Sequence, residues 1–352
     1  MKGVAIRLVP ALAAVLLASA CARDAHHRGA KDERVVLSDR WLSMGTVFEA
    51  DLRVKPSEVA VAKTWLAWAR VELVRLEAVY SRHDSTSQLS DLNRTLAKPA
   101  VLAEGAAIGP ALEAVLDESI ELWQATGGAF DVTVGPLVEV WRRASEKAAW
   151  PSVEAIRKAK GRVGSERLQL LGHGRLGVTS ERVRIDLDAV SKGAALDHLG
   201  AALVRVLPGA PALIRLGESS TLAIGDPDGG GWVLTVKSSD PGAGPLATLR
   251  LRDRALSVST SLGSYREIAG QKVSDIIDPR TGATVEGTVQ AIVVADRATR
   301  AGGWSTGLLV LGAQRSTIRL VEKAGLAAYL FDSSGRTVSS ESWESYLAES
   351  GP

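Results

Sequence analysis

"TGGAFDVTVGPLVEVW" (residues 126–141) follows directly on a helix-patterned stretch. From about Pro110 to Thr126 the pattern sets Leu112, Val115, Leu116, Leu122 and Trp123 on one apolar side, and Gly127-Gly128 is a helix stop. Asp131 and Thr133 are then bracketed between that glycine pair and Gly135-Pro136. Two readings of the bracket stand. It is either a well-packed loop with a helix-capping aspartate, or a loop whose glycines let backbone N–H groups approach an anion or a planar ring.

Two further stretches have the same character. "RIDLDAVSKGAALD" (184–197) alternates Asp186 and Asp188, then places Lys192-Gly193 at the start of a helix expected from about Ser191 to Val206. Helix N-termini favour anions, so this is a candidate phosphate site, although a lysine in a first helical turn is otherwise unremarkable. "SDIIDPRTGATVEG" (274–287) runs an apolar strand into Asp278-Pro279-Arg280-Thr281-Gly282. Proline fixes φ and glycine takes the left-handed position, which suits a plain tight turn or a loop built to hold something.

The 352 residues are 46% hydrophobic and 23% charged, enough to build a sizeable core. Lys+Arg of 42 against Asp+Glu of 40 leaves no basic excess for nucleic acid. The N-terminus differs in kind. "MKGVAIRLVPALAAVLLASAC" has Lys2 and Arg7, an apolar run from Leu8 to Ala18, and small residues before Cys21. That is a signal-peptide layout, too short in its apolar part for a good membrane span. "LASAC" resembles a bacterial lipobox, so Cys21, the only cysteine, is expected to become the lipidated first residue. Residues 1–20 are then the signal peptide, 21–38 a polar tether, and 39–348 one domain facing the periplasm or exterior from a lipid anchor in the cell envelope.

Along the domain, strand-like and helix-like segments alternate. "GTVFEADLRV" (45–54) reads as a strand, and Ser57 as the cap of a helix through Tyr80 with Trp65, Trp68, Val71, Leu73 and Leu76 among its apolar positions. Ser85 and Gln88 have capping-box spacing. "LQLLGHGRLGVTS" and "RVRIDLD" read as successive strands; many short strands follow, with helices near 303–312 and 314–324 and a final strand pair. The expected class is α+β, with largely antiparallel sheets and packed helices, in a single domain. There is no GxxxxGK[ST], no HExxH and no zinc-spaced His/Cys cluster, and none of the five histidines forms a triad with the serines.

Taken together, "SMGTVFEADL", "YSRHDSTSQLSDLN", "TGGAFDVTVGPLVEVW", "IDLDAVSKGAALD", "ALIRLGE" and "SDIIDPRTG" resemble, in order and spacing, the ApbE family of FAD:protein FMN transferases, over roughly residues 40–345. The resemblance implies a T-fold-related domain that uses FAD and Mg²⁺ to move FMN onto a threonine or serine hydroxyl of an acceptor protein, often an electron-transfer subunit, with release of AMP. Some members instead hydrolyse FAD. It further implies flavin-nucleotide contacts at Met44, His83, Ala129, Phe130, Asp131, Asp186, Lys192 and Ile276, and metal ligation by the Ala189 carbonyl and Thr306.

The pattern breaks at the chemistry. Asp275 stands where the family usually has its acid/base histidine, so Asp275 is the candidate base, and an aspartate is weaker in that role unless burial raises its pKa. "AGGWSTGLLVLG" (301–312) has Gly302 where the family has an aspartate, and "STSLGSY" (259–265) lacks the usual acid. A hard dication wants carboxylate oxygens. The alternative expectation is therefore a catalytically silent flavin- or nucleotide-binding envelope lipoprotein, with an FAD pyrophosphatase behind it. Asp296 compensates only if its loop bends back.

Overall fold

The strand Thr288–Ala295, "TVQAIVVA", is almost continuously apolar because both its faces are covered. Ala291, Val293 and Ala295 join the main core, while Ile292 and Val294 point into a second apolar cluster. Side chains two apart share a face of a strand, so a strand buried on both sides loses its alternation. The computed structural model describes residues 34–348, except 240, 241, 243, 262 and 264. The signal peptide, Cys21 and most of the expected tether lie outside the described residues.

The strand sits inside an eight-stranded sheet. In spatial order its members are Val35–Ser43, Thr46–Val54, Ala212–Leu216, Ser220–Ile224, Arg254–Thr260, Thr288–Ala295, Ala327–Asp332 and Thr337–Ser339, and every neighbouring pair is antiparallel. The helices Val59–Tyr80, Ser191–Val206 and Ala298–Leu311 feed the main core, with Leu73, Leu199 and Trp304 fully buried. On the other face the hairpin Trp232–Lys237/Pro245–Leu251 packs Trp232, Leu234, Leu249 and Leu251 against Leu213, Leu256, Ile292 and Val294. Each such side chain taken from water contributes about 1.5–3 kcal/mol. A third cluster joins Leu137 and Trp141 of the helix Gly135–Glu146 to Ile268, Val273 and Ile277. No helix among the described residues is long and apolar enough to cross a membrane.

The α+β, largely antiparallel expectation is met, and the 191–206 helix has its expected ends. Four details differ. Val35–Ser38, placed in the tether, are strand, paired in register from Val35↔Val54 onward. Ser57 lies within a 3₁₀ turn at Pro56–Glu58, and the helix starts at Val59, with Trp68 and Val71 on its exposed face. The cap of the helix Gln88–Leu96 is Ser87, whose hydroxyl accepts from the Ser90 N–H, rather than Ser85. "RVRIDLD" makes one parallel bridge, Arg184 to Val134, and no strand. Its backbone is committed elsewhere: Asn93 holds both polar groups of Ile185, at 2.7 and 2.9 Å, and the Asp186 N–H donates to the Val132 carbonyl.

Candidate active site

A cleft of about 1620 Å³ opens between the sheet, the N-terminal end of the 191–206 helix and the 265–277 segment. Met44, His83, Ala129, Phe130, Asp131, Asp186, Ala189, Lys192, Asp275, Ile276 and Thr306 all line it. Residues up to 262 positions apart in sequence thus converge on one cavity; Cys21 lies outside the described residues.

One side is braced by backbone. Met44 and Gly45 form the two-residue turn between the first two strands, with φ of 50° and 72°. A turn with both central residues at positive φ matches the strand twist, and Gly45 takes the second position without strain. The Met44 N–H donates to Glu77, which fixes the tip of the turn. In the 126–135 loop the Gly128 N–H closes back onto the Trp123 carbonyl and Thr126 Oγ1 accepts from Phe130 N–H. Asp131 lines the cleft, but its carboxylate accepts from the N–H and hydroxyl of both Thr133 and Ser165, at 2.6–3.0 Å. It shapes the loop rather than offering a free oxygen. The 274–287 segment behaves likewise: Asp278 accepts from Arg280, Gly282 sits at φ 81°, and Trp141 Nε1–H donates to the Gly282 carbonyl. That seats the loop on the 135–146 helix and leaves Asp275 and Ile276 facing the cleft.

The charges divide unevenly. Arg82 Nε lies 3.0 Å from Asp186 and 2.5 Å from Asp188, so this guanidinium is already neutralised. Burial pushes the Asp186 carboxyl up, Asp188 adds to that, and Arg82 opposes it. His83 is exposed, 3.6 Å from Asp188. Lys192 is different: its Nζ donates to the Ser219 hydroxyl at 2.9 Å, and no carboxylate pairs with it within 4.0 Å among the described residues. Burial pulls this ammonium down from its ordinary value, with Asp188 opposing at longer range. A half-buried cation with only a neutral partner, in the first turn of a 16-residue helix, is an anion-binding arrangement. Burial also raises the Asp275 carboxyl, against the opposing charge of Arg266. That moves it toward the range a general base needs.

The residues present do not fit a divalent cation of the kind the resemblance implies. Ala189 and Thr306 reach the cleft, but position 302 carries no carboxylate, and a Cβ there would stand 2.6 Å from the Ala189 carbonyl oxygen. Asp296 does not bend back: it pairs with Arg300 at 3.1 Å and is absent from the cleft lining. Among the described residues no group of three His, Cys, Asp or Glu side chains is placed to hold a metal ion.

Sequence reading passed over several residues. Arg82, next to the flagged His83, organises both aspartates, and its adjacency was the available signal. Ser219 follows the "ALIRLGE" motif directly and meets Lys192. Ser257, Ser259 and Ser305 form a hydroxyl cluster across the 254–260 strand and the 298–311 helix, and no local spacing joins residues 46 to 48 apart.

Comparison with known proteins agrees with this architecture. The family model described as "ApbE family" matches residues 44–330. The FAD:protein FMN transferase of Salmonella typhimurium is 31% identical over 235 residues, 65% of this chain and 67% of that one. That of Escherichia coli K12 is 30% identical over 250 residues, 68% and 71%. Among solved structures, the ApbE protein of Thermotoga maritima superposes with a TM-score of 0.78 at 22% identity, over 90% of this chain and all of its own. The flavin transferase ApbE of Vibrio cholerae gives 0.75 at 23%, over 89% and 100%. With the family model matching residues 44–330, most of the sequence, the chain belongs to the ApbE family.

Proposed function

We propose that the chain is an FAD:protein FMN transferase, with a threonine or serine hydroxyl of an acceptor protein as nucleophile. The observation that carries this is the convergence of the eleven expected residues on one cleft, with Lys192 held at a helix N-terminus without a carboxylate partner among the described residues. The isoalloxazine ring lies along Met44 and the Ala129–Phe130 wall, and the diphosphate meets Lys192. In the reaction the acceptor oxygen bonds to the FMN phosphorus as the bridging P–O bond breaks. The electron pair leaves with AMP, and the hydroxyl proton passes to Asp275. Positioning and charge neutralisation do most of the work in phosphoryl transfer. Magnesium, which the resemblance implies, has two neutral oxygens and no carboxylate to hold it here, so no step is routed through it.

Residues 1–21 support a lipid-anchored protein of the cell envelope. Cys21→Ser is expected to abolish fatty-acid labelling and release the chain from the membrane fraction; retention of both would remove the anchor from this reading.

A second reading, a silent flavin binder, is favoured by Gly302 closing against Ala189. The deciding experiment incubates the full chain in detergent with FAD and a fragment that the Salmonella typhimurium relative modifies. Intact mass then follows the fragment and chromatography follows AMP. A gain of one FMN with matching AMP supports the transferase. AMP without modified fragment indicates hydrolysis, and bound FAD with neither product leaves the silent binder.

A further inference from the structure

The disagreement between the cleft and a metal site has a positive side. The 298–311 helix meets the 187–190 turn at Gly302 and the start of the 191–206 helix at Gly193, backbone to backbone. A Cβ on Gly302 would stand 2.6 Å from the Ala189 oxygen, and one on Gly193 would stand 2.4 Å from the Ala298 oxygen. Real Cβ atoms do not come that close, so neither position admits a side chain unless the two segments separate. A carboxylate at 302 is thus excluded by packing as well as by sequence. One turn along the helix, Ser305 bonds to Ser257 at 2.9 Å, Ser259 at 2.8 Å and the Gly302 carbonyl at 3.1 Å, and Ser259 reaches Thr306 at 3.5 Å. These oxygens satisfy one another and carry no net charge. Mg²⁺ usually keeps several waters and takes one or two protein carboxylates beside the substrate's phosphate oxygens, and this wall supplies no carboxylate. The two carboxylates next to Ala189 in the sequence, Asp186 and Asp188, both turn to the one guanidinium of Arg82. Of the cations lining the cleft, Arg82, Arg215 and Lys237 pair with carboxylates, whereas Arg40, Lys192 and Arg266 pair with none within 4.0 Å among the described residues. Among these three, Lys192 stands in the first turn of a helix whose N-terminus has no side-chain cap, although the Ser191 N–H there already donates to the Leu187 carbonyl.

We infer that this chain holds the diphosphate of its flavin substrate through Lys192 and the N-terminus of the 191–206 helix, without a divalent cation. The inference rests on the flavin reading above and says how that substrate's charge is met. Lysine supplies a point charge suited to phosphate, and the first-turn N–H groups supply oriented donors.

The test measures FAD affinity of the full chain in detergent by flavin fluorescence, once in EDTA and once in millimolar MgCl₂. A parallel titration with MnCl₂, followed by electron paramagnetic resonance, reads cation binding directly. The expected result is a Kd that agrees within about threefold between the two buffers, and no stoichiometric bound Mn²⁺ with or without FAD. Lys192→Met is expected to raise Kd by about tenfold or more in both buffers, and Lys192→Arg to retain most of the affinity. An affinity that improves more than about tenfold with magnesium overturns the inference while leaving the flavin reading intact. So does one equivalent of Mn²⁺ that Thr306→Ala removes. Absence of FAD binding in both buffers overturns the flavin reading and this inference with it. If Lys192→Met unfolds, the buffer comparison and the Mn²⁺ titration on the natural chain still decide.

Discussion

The two sides of the cleft are built on opposite plans. On the side of residues 126–135 and 184–193, nearly every polar group has a protein partner: Asp131 takes four donors, Asn93 holds both groups of Ile185, and Arg82 takes two carboxylates. On the side of residues 257–260 and 302–306, hydroxyls bond mainly to each other and no acid is present. The first side is specified for shape, because a satisfied buried network has one geometry. The second side carries no charged residue, so the proposed chemistry rests on Asp275 and Lys192.

The largest effect is expected from removing Asp275, the carboxylate proposed as base. Asp275→Asn is expected to lower FMN transfer by about 10²–10⁴-fold while FAD affinity stays within about threefold. Transfer that survives the change would mean that the base lies elsewhere. The pH profile sharpens the same point. Burial raises the Asp275 carboxyl, so its ionised form is lost as pH falls at values above those of an ordinary aspartate near 4. The acid limb of the transfer rate is expected there, and Asp275→His is expected to move it upward toward about 6.5. An unchanged limb in the histidine variant would detach it from residue 275.

Next in size are changes to the packing that separates the two walls. Gly193→Ala puts a methyl group against the Ala298 backbone, where nothing flexible can yield. The expected loss is about 1–3 kcal/mol in urea unfolding. Gly302→Ala meets the Ala189 oxygen alone and is expected to cost less of the same range. Neutral outcomes at both would mean that the 298–311 helix does not pack against the 187–190 turn and the start of the 191–206 helix. Asp131→Ala, on the shape-specified side, leaves four buried donors without their acceptor and is expected to cost about 1–3 kcal/mol. Only a small loss there would erase the distinction drawn between the walls.

The sequence showed one wall more clearly than the other, for a physical reason. "TGGAFDVTVGPL" and "IDLDAVSKG" carry their information locally, in glycines that stop helices and in residues that sit side by side after folding. The same holds for the 191–206 helix and the Gly282 turn. Arg82, Ser219 and the Ser257–Ser259–Ser305 cluster act only across the fold, through partners 27 to 106 positions away, and single hydroxyls have no spacing to betray them. The strand at 35–43 was hidden for another reason. An edge strand buried on one face only, with Ser38, Asp39 and Arg40 in it, has the composition of a linker until its pairing partner is known.

The smallest expected effect lies at the N-terminus of the 298–311 helix, which carries the sparse wall. Asp197 caps that terminus, accepting from Ala298 N–H and from Thr299 N–H and hydroxyl at 2.6–2.9 Å. Glu118 reaches Arg297 at 3.1 Å beside it. Burial, with the nearby charges of Asp197, Glu121 and Asp296, pushes the Glu118 carboxyl up to about 7, although Arg297 opposes this. A carboxyl raised in the folded state binds its proton more tightly there than in the unfolded chain. Its contribution is therefore full below the ordinary glutamate value of 4.5 and is lost as pH rises to about 7, with no further change above. Glu118→Gln removes that slope, and the half-exposed Arg297 loses little with its partner. The variant is thus expected to match the natural chain near pH 5 and to exceed it slightly at pH 8, measured as urea midpoints across that range. Parallel pH slopes in the two proteins would show that Glu118 is ionised throughout. The Glu118–Arg297 ion pair would then stand beside the Asp197 cap across the whole range, and the terminus that carries the sparse wall would not depend on the protonation of Glu118.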